Sequence, residues 1–452
     1  VSDNHHRLMI SVAGIRGIVG QGLTPEVAAG YAAAFGTFIG RGRVILGRDS
    51  RPSGQMMELA AEAGLRSVGC QVVKIGIVPT PTVQLMVKQL KARGGIAITA
   101  SHNPPQWNAL KFIGAGGGFL SRQEGQEMLA IHEEGRCLRA AYDEIGGVEV
   151  FDSALERHVE TILKLPFVSA ERIRRRRFRV VCDTCHGAGG PIFSMLLKKL
   201  GCHEVSLHYE ASGEFPRPIE PRAENLRELE RAVRRHRADV GFATDADVDR
   251  LSLVDETGRA LGEEYTLPLA ARYRLAQKPG VLVTNLSTSR MVEAVALSRK
   301  SRVARTSVGE ANVVAAMKKH RAVLGGEGNG GVIIPELNYA RDATAAMALI
   351  LMLMAQSGQK LSRLAQSLPR YDMIKEEIET GSPAALVKKT AIYFHDRPQD
   401  HSDGVKVLFD DGWLHVRASG TEPVVRAIAE AEKGERARWW IERVRHLARE
   451  AR

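Results

Sequence analysis

The chain has only five cysteines in 452 residues, an odd number without the dense spacing of a disulfide scaffold. That excludes a stapled secreted domain and points to free thiols in a reducing compartment. Long apolar runs are also missing. The best stretch, residues 345–355, is too short to span a bilayer, so no membrane association is expected. The first residues, V-S-D-N-H-H-R, lack the apolar run of a signal peptide, which makes the cytoplasm the expected location. The sharpest charge run, residues 172–179, carries no aromatic residue besides Phe178. A nucleic-acid surface would interleave aromatics, so the run reads first as a solvated helix end or edge strand. Cys182-Asp-Thr-Cys185-His186 matches the haem-attachment spacing, yet no second copy or ligand pair accompanies it, which argues against both haem and zinc.

What is present is length and positive charge. A chain of 452 residues is too long for one hydrophobic core and predicts three or four domains. Hydrophobic content of 44% is ordinary for a globular protein, and the formal charge of +11 favours acidic ligands, either sugar phosphates or nucleic acid.

Strand, helix, strand, helix in regular rhythm from residue 44 onward marks parallel βαβ units. In the first unit, Gly94-Gly-Ile-Ala-Ile-Thr99 reads as a buried strand, and Pro104-Pro105 forbid strand or helix just beyond it. Ser101 is therefore expected on a loop at a strand's carboxyl end, where open α/β sheets bind ligands, and its hydroxyl is a candidate nucleophile. A plain polar turn capped by His102 and Asn103 is the alternative. A second strand ends in Asp245-Ala-Asp247-Val-Asp249-Arg250. Three carboxylates facing one point repel unless a cation sits among them, and Mg²⁺, with its hard oxygen ligands, suits them best. An EF-hand is excluded, because Arg250 stands where the sharp turn demands glycine and Leu251 to Val254 continue as strand.

With both loops in view, the chain resembles the α-D-phosphohexomutases. T-A-S-H-N-P resembles that family's phosphoserine loop, D-A-D-V-D-R its metal loop, G-E-G-N-G-G its sugar-selecting loop and R-A-S-G-T-E-P its phosphate-binding loop. The four stand in the family's order between Ser101 and Arg426. Departures are visible: the usual F-G-T start of the Arg16 segment is absent, Ala109 replaces a usual glycine before Lys111, and Asn329 and Gly331 stand where serine and histidine are frequent. The G-E-G-N-G-G form resembles the phosphoglucosamine mutase branch.

The resemblance implies an α/β protein of four domains around a central cleft: three similar units with mixed, largely parallel sheets (1–147, 148–254 and 255–368) and a C-terminal α+β domain (369–452). It implies a mutase moving phosphate between C1 and C6 of a hexose through phosphorylated Ser101 and a sugar bisphosphate that serves as intermediate and activator. Glucosamine phosphate is the expected substrate, with mannose or glucose phosphate as alternatives. A basic nucleic-acid-binding protein is the rival from another class; it would explain the charge but not the spaced aspartates. One Mg²⁺ per chain would be held by Asp245, Asp247, Asp249 and the Ser101 phosphate. Arg16 and Lys111 would assist transfer, His102 would orient groups or help move a proton, and Arg250 would line the cleft. Glu327 and Asn329 would bond sugar hydroxyls; Arg417, Ser419, Gly420, Thr421 and Arg426 would hold the idle phosphate. The only partner implied is the small-molecule sugar phosphate, with no nucleic acid and no membrane, bound by a monomer or homodimer.

Overall fold

The structure, a computed structural model, describes residues 8–11, 14–419 and 424–449. Its strands form four separate sheets that follow one another along the chain. In the first, Gly94–Ile98, Gly42–Arg48 and Cys70–Ile77 run parallel, and Val148–Val150 extends the Cys70–Ile77 edge, so the sheet reaches past residue 147. On the other side, Trp107–Gly114 pairs antiparallel with Gly94–Ile98, followed by Gly14–Ile18 and Met9–Ser11. Gly14 adopts φ +148°, and a Cβ there would lie 2.0 Å from the carbonyl oxygen of Leu110, so only glycine lets these strands approach.

The second sheet is ordered Leu251–Asp255, Val240–Thr244, Arg179–Asp183, His203–Leu207, and the third Arg302–Thr306, Val281–Asn285, Leu324–Gly326, Val332–Ile333. Each is parallel except for one antiparallel edge strand, Leu251–Asp255 or Val332–Ile333. The arginine run ends the short helix Ala170–Arg174 on the surface, but the strand it leads into, Arg179–Asp183, is interior and not an edge. The fourth sheet, Asp372–Glu379, Val424–Ala431, Gly412–Ala418, Val405–Phe409, Gln399–Asp400, is antiparallel throughout, as an α+β unit requires.

One apolar core runs through the first three units, while the fourth has its own around Trp440, which stacks on Phe409 at 4.2 Å. The shared core is built on helix Ala343–Ser357, buried on every side from Ala343 to Met354 and packed against Thr266–Gln277, Ala154–Leu163 and Gly189–Leu200. A helix apolar all round belongs inside a protein or a membrane; this one, which contains the run 345–355, is inside. Among the described residues no helix is long and apolar enough to cross a membrane. Asp342 caps this helix by accepting from the Ala345 amide at 3.0 Å.

The same aspartate joins three units. His158 lies between Asp342 Oδ2 at 2.7 Å and the hydroxyl of Thr82 at 2.8 Å, all three fully or nearly buried. Replacing His158 by alanine strands a buried hydroxyl and a buried carboxylate. We expect a loss of about 2–4 kcal/mol, read as a lower urea midpoint; an unchanged midpoint would show that the junction carries no load.

Candidate active site

Ser101 sits beyond the carboxyl end of Gly94–Ile98 with φ +51°, the left-handed region that side chains other than glycine seldom adopt. Such strain persists only where neighbours over-determine it. Here the chief restraint is Arg51, fully buried, whose five N–H groups are all taken. Nε pairs with Asp49 at 3.0 Å, and the two Nη atoms donate to the carbonyls of Ser101, Asn103, Pro104 and Trp107 at 2.7–3.0 Å. Asp49 also accepts from Thr99 at 2.6 Å, and Thr99 in turn accepts from the Ser101 amide at 2.9 Å. The charged cluster Arg48-Asp49-Ser50-Arg51 at the end of a buried strand was the available signal for this clasp, and motif reading passed over it.

The Ser101 hydroxyl donates to Asp245 Oδ2 at 2.9 Å across 144 residues of chain. Asp245, Asp247 and Asp249 are buried on the loop between Val240–Thr244 and Leu251–Asp255, with one ligand-capable oxygen from each within 4.8 Å of the others. Val248, between two of them, is a second left-handed residue at φ +63°. Asp247 Oδ2 accepts from Lys111 at 2.7 Å and Thr80 at 2.8 Å, both from the first unit. Asp249 Oδ2 accepts from Arg341 at 2.5 Å, from the third. Among the described residues, Asp247 Oδ1 and Asp249 Oδ1 are buried without any donor. A buried carboxylate oxygen without a hydrogen bond is costly, and two of them beside Asp245, one of them 3.6 Å from Arg250 Nε, suit a hard divalent cation.

The electrostatics agree with that donor set. Burial, then Asp249 and Asp247, push the Asp245 carboxyl well above its ordinary value. Burial acts the same way on Asp247, but the charge and hydrogen bond of Lys111, with Thr80, override it and hold that carboxyl low. His102 is held well below the usual imidazole value, first by Arg250 and then by burial. Arg250 Nη2 donates to His102 Nδ1 at 3.0 Å, and a guanidinium cannot accept, so Nδ1 presents its lone pair. Arg250 Nη1 pairs with Glu220 at 2.6 Å, a partner that motif reading did not find. Arg16 donates to Asn103 at 2.6 Å and lines a cavity of about 220 Å³ with Ser101, His102, Lys111, Arg250 and Arg341.

His102, Arg250 and Arg341 also line a larger cleft of about 830 Å³, within the range of small-molecule sites. Its far side carries Glu327, Asn329, Arg417 and Arg426. Glu327 is not free: Oε1 accepts from Asn285 at 2.8 Å and the Gly309 amide at 3.2 Å, and Oε2 from Arg341 at 2.8 Å and Asn329 at 3.4 Å. Burial alone would raise its carboxyl; Arg341 and Asn285 bring it below the usual range. Arg417 has a buried Nε with no hydrogen-bond partner among the described residues. Arg426 pairs with Glu377 at 3.2 Å near the surface, and the Ser419 amide donates to the Val424 carbonyl at 2.9 Å. Gly420 and Thr421 lie outside the described residues.

The fourth unit is held to the third by polar contacts around this cleft. Lys375 reaches Glu263 at 2.9 Å and Glu264 at 2.8 Å, and burial pushes the Glu264 carboxyl up to about 7 against the pull of that lysine. The Val308 amide donates to Asp403 at 2.9 Å, and Ser287 meets His415 at 2.9 Å.

Four family descriptions match the chain in order: phosphoglucomutase/phosphomannomutase alpha/beta/alpha domain I over residues 7–137, domain II over 156–258, domain III over 263–371, and the C-terminal domain over 375–447. A phosphoglucomutase/phosphomannomutase of Thermococcus kodakarensis is 39% identical, covering 95% of this chain and 96% of its own. A probable phosphoglucosamine mutase of Methanopyrus kandleri is 37% identical over 94% of each. The crystal structure of a phosphoglucomutase/phosphomannomutase family protein from Burkholderia thailandensis superposes with a TM-score of 0.85 at 27% identity, covering 98% of both chains.

The Arg51 clasp yields a direct test. Arg51→Lys leaves most of the four loop carbonyls without a donor, at about 1 kcal/mol or more each. Amide exchange across residues 100–107 should quicken at least about tenfold, measured by mass spectrometry; unchanged protection would contradict the clasp.

Proposed function

This chain belongs to the phosphoglucomutase/phosphomannomutase family, and from that premise we propose that its cleft interconverts hexose 6-phosphate and 1-phosphate through phosphorylated Ser101. That it is a phosphohexomutase, an enzyme transferring phosphate within one sugar, follows from the relatives it matches end to end. The observation that carries the mechanism is the Ser101 hydroxyl lying 2.9 Å from a carboxylate of the buried triad.

The phosphoryl on Ser101 passes to the free hydroxyl of the bound sugar phosphate: the Ser101 Oγ–P bond breaks, a sugar O–P bond forms, the proton of the sugar hydroxyl ends on Ser101 Oγ, and a bisphosphate results. That sugar turns end for end, and its other phosphate returns to Ser101. Asp245, Asp247 and Asp249, with a phosphoserine oxygen, would hold one Mg²⁺, which when bound supplies charge neutralisation on the phosphoryl oxygens. Lys111 and Arg16, lining the same cavity as Ser101, offset the remaining charge. His102, its Nδ1 committed to Arg250, orients the loop instead of taking a proton there. Arg417, whose Nε has no partner among the described residues, and Arg426 grip the phosphate that is not reacting.

Glucosamine phosphate is the preferred substrate, with mannose or glucose phosphate second. The G-E-G-N-G-G loop supports this, as does the relative of M. kandleri, whereas that of T. kodakarensis supports the second; an amine at C2 would reach Glu327 only by displacing one of its present donors. The fourth unit, joined through residues 369–371 and meeting the third through polar contacts such as Lys375 with Glu263 and Val308 with Asp403, closes over ligand to exclude water. Scattering profiles with and without sugar phosphate should therefore differ, and superimposable profiles would contradict closure.

Coupled assays on glucosamine, mannose and glucose 1-phosphates test the reading. Ser101→Ala should lose at least about 10⁴-fold in kcat, and chelation should abolish turnover until Mg²⁺ is restored. Equal turnover by Ser101→Ala and wild type would remove Ser101 from the mechanism.

A further inference from the structure

Arg341 belongs to none of the four motifs, yet it touches three carboxylates from three different elements of the cleft. Nη2 donates to Asp249 of the cation triad at 2.5 Å, Nε to Glu310 at the start of helix Glu310–His320 at 2.8 Å, and Nη1 to Glu327 of the sugar-facing loop at 2.8 Å. Its backbone is fixed on both sides: it bridges Ile333 antiparallel, and the next residue, Asp342, donates its amide to the Val332 carbonyl at 2.9 Å and caps the central helix. Its side chain lines both the small cavity that holds Ser101 and the larger cleft that holds Glu327.

The path of that side chain accounts for a glycine. A Cβ at Gly331 would lie 2.3 Å from Cδ of Arg341 and 2.9 Å from its Cγ, so the stem of Arg341 occupies the space a side chain at 331 would need. The planar fork gives each carboxylate a nitrogen of its own; a lysine in its place keeps the charge but gathers its three donors on one nitrogen. With Asp249 and Glu327 bound to one guanidinium, neither can move without the other.

We propose that Arg341 is a positioning residue that sets the cation ligand Asp249 and the sugar-facing Glu327 together, so that cation affinity and sugar-phosphate recognition depend on one side chain. This rests on the cation reading of the triad given above. Its distinctive consequence is that position 331, which offers no ligand, governs cation binding through the stem it makes room for.

The test is Mn²⁺ binding by the full chain without sugar, followed by the electron paramagnetic resonance of free Mn²⁺, in wild type, Arg341→Lys, Gly331→Ala and Asp247→Asn. Arg341→Lys should weaken Mn²⁺ by about 10- to 100-fold, as loss of an outer partner of a metal ligand does. Gly331→Ala, which changes no charge and no ligand, should weaken it at least about threefold, and both should raise KM for sugar phosphate in the same order. Melting temperatures within a few degrees of wild type would separate positioning from a general loss of structure. Mn²⁺ affinity within about twofold of wild type in either folded variant overturns the proposal, and Gly331→Ala decides between the two outcomes even if Arg341→Lys does not fold. If instead Asp247→Asn binds Mn²⁺ as wild type does, the cation reading of the triad fails and takes the proposal with it.

Discussion

Three aspartates buried within 4.8 Å of one another repel, and the rest of the cleft is arranged around that repulsion. Each carboxylate is answered from a different part of the fold. The Ser101 hydroxyl and Lys111 come from the first unit, Arg250 from the second unit's own loop, and Arg341 from the third. These contacts join the three α/β units, as does the packing of the apolar helix Ala343–Ser357. Two oxygens remain without donors among the described residues, so the site is left with capacity for one more positive charge.

Both loops that meet there are strained in the same manner. Ser101 and Val248 are left-handed without being glycine, and Val248 is β-branched, which makes its conformation costlier still. A glycine at either place would relax the turn and release the neighbouring side chain. The strain is held by long-range bonds: Arg51 grips the serine loop, and the Ala343 amide donates to the Val248 carbonyl at 3.1 Å. The Ser101 hydroxyl is thereby held in place by the fold itself, as the transfer proposed for it would require.

What was legible in the sequence was whatever lies contiguous along it. Ser101 after its buried strand, the alternating aspartates and the apolar run of the central helix each carry their own local signature. Thr80, Glu220 and Arg341 do not, because each acts on a partner between 30 and 167 residues away and stands in a segment whose pattern is ordinary; Arg51 left only the charged cluster at the end of its strand. The helix Arg227–His236 is entered through a single tight turn over Ala223–Asn225, a start that no capping pattern marks. Cys182 and Cys185 are buried thiols around a turn in which Cys185 and His186 are both left-handed, and their spacing reflects that turn. Glu327 fits its sequence context but is already saturated by Asn285, Gly309, Asn329 and Arg341, so a sugar hydroxyl must compete with bonds that no motif reveals.

The proposed mechanism requires the hydroxyl of Ser101 and the three aspartates to share one ion. Crystals grown with Mn²⁺ and measured at its absorption edge decide this directly. One anomalous peak is expected at about 2.0–2.2 Å from an oxygen each of Asp245, Asp247 and Asp249, adjoining Ser101 Oγ or its phosphate. A peak elsewhere, or none at the triad in a fully loaded crystal, would contradict it.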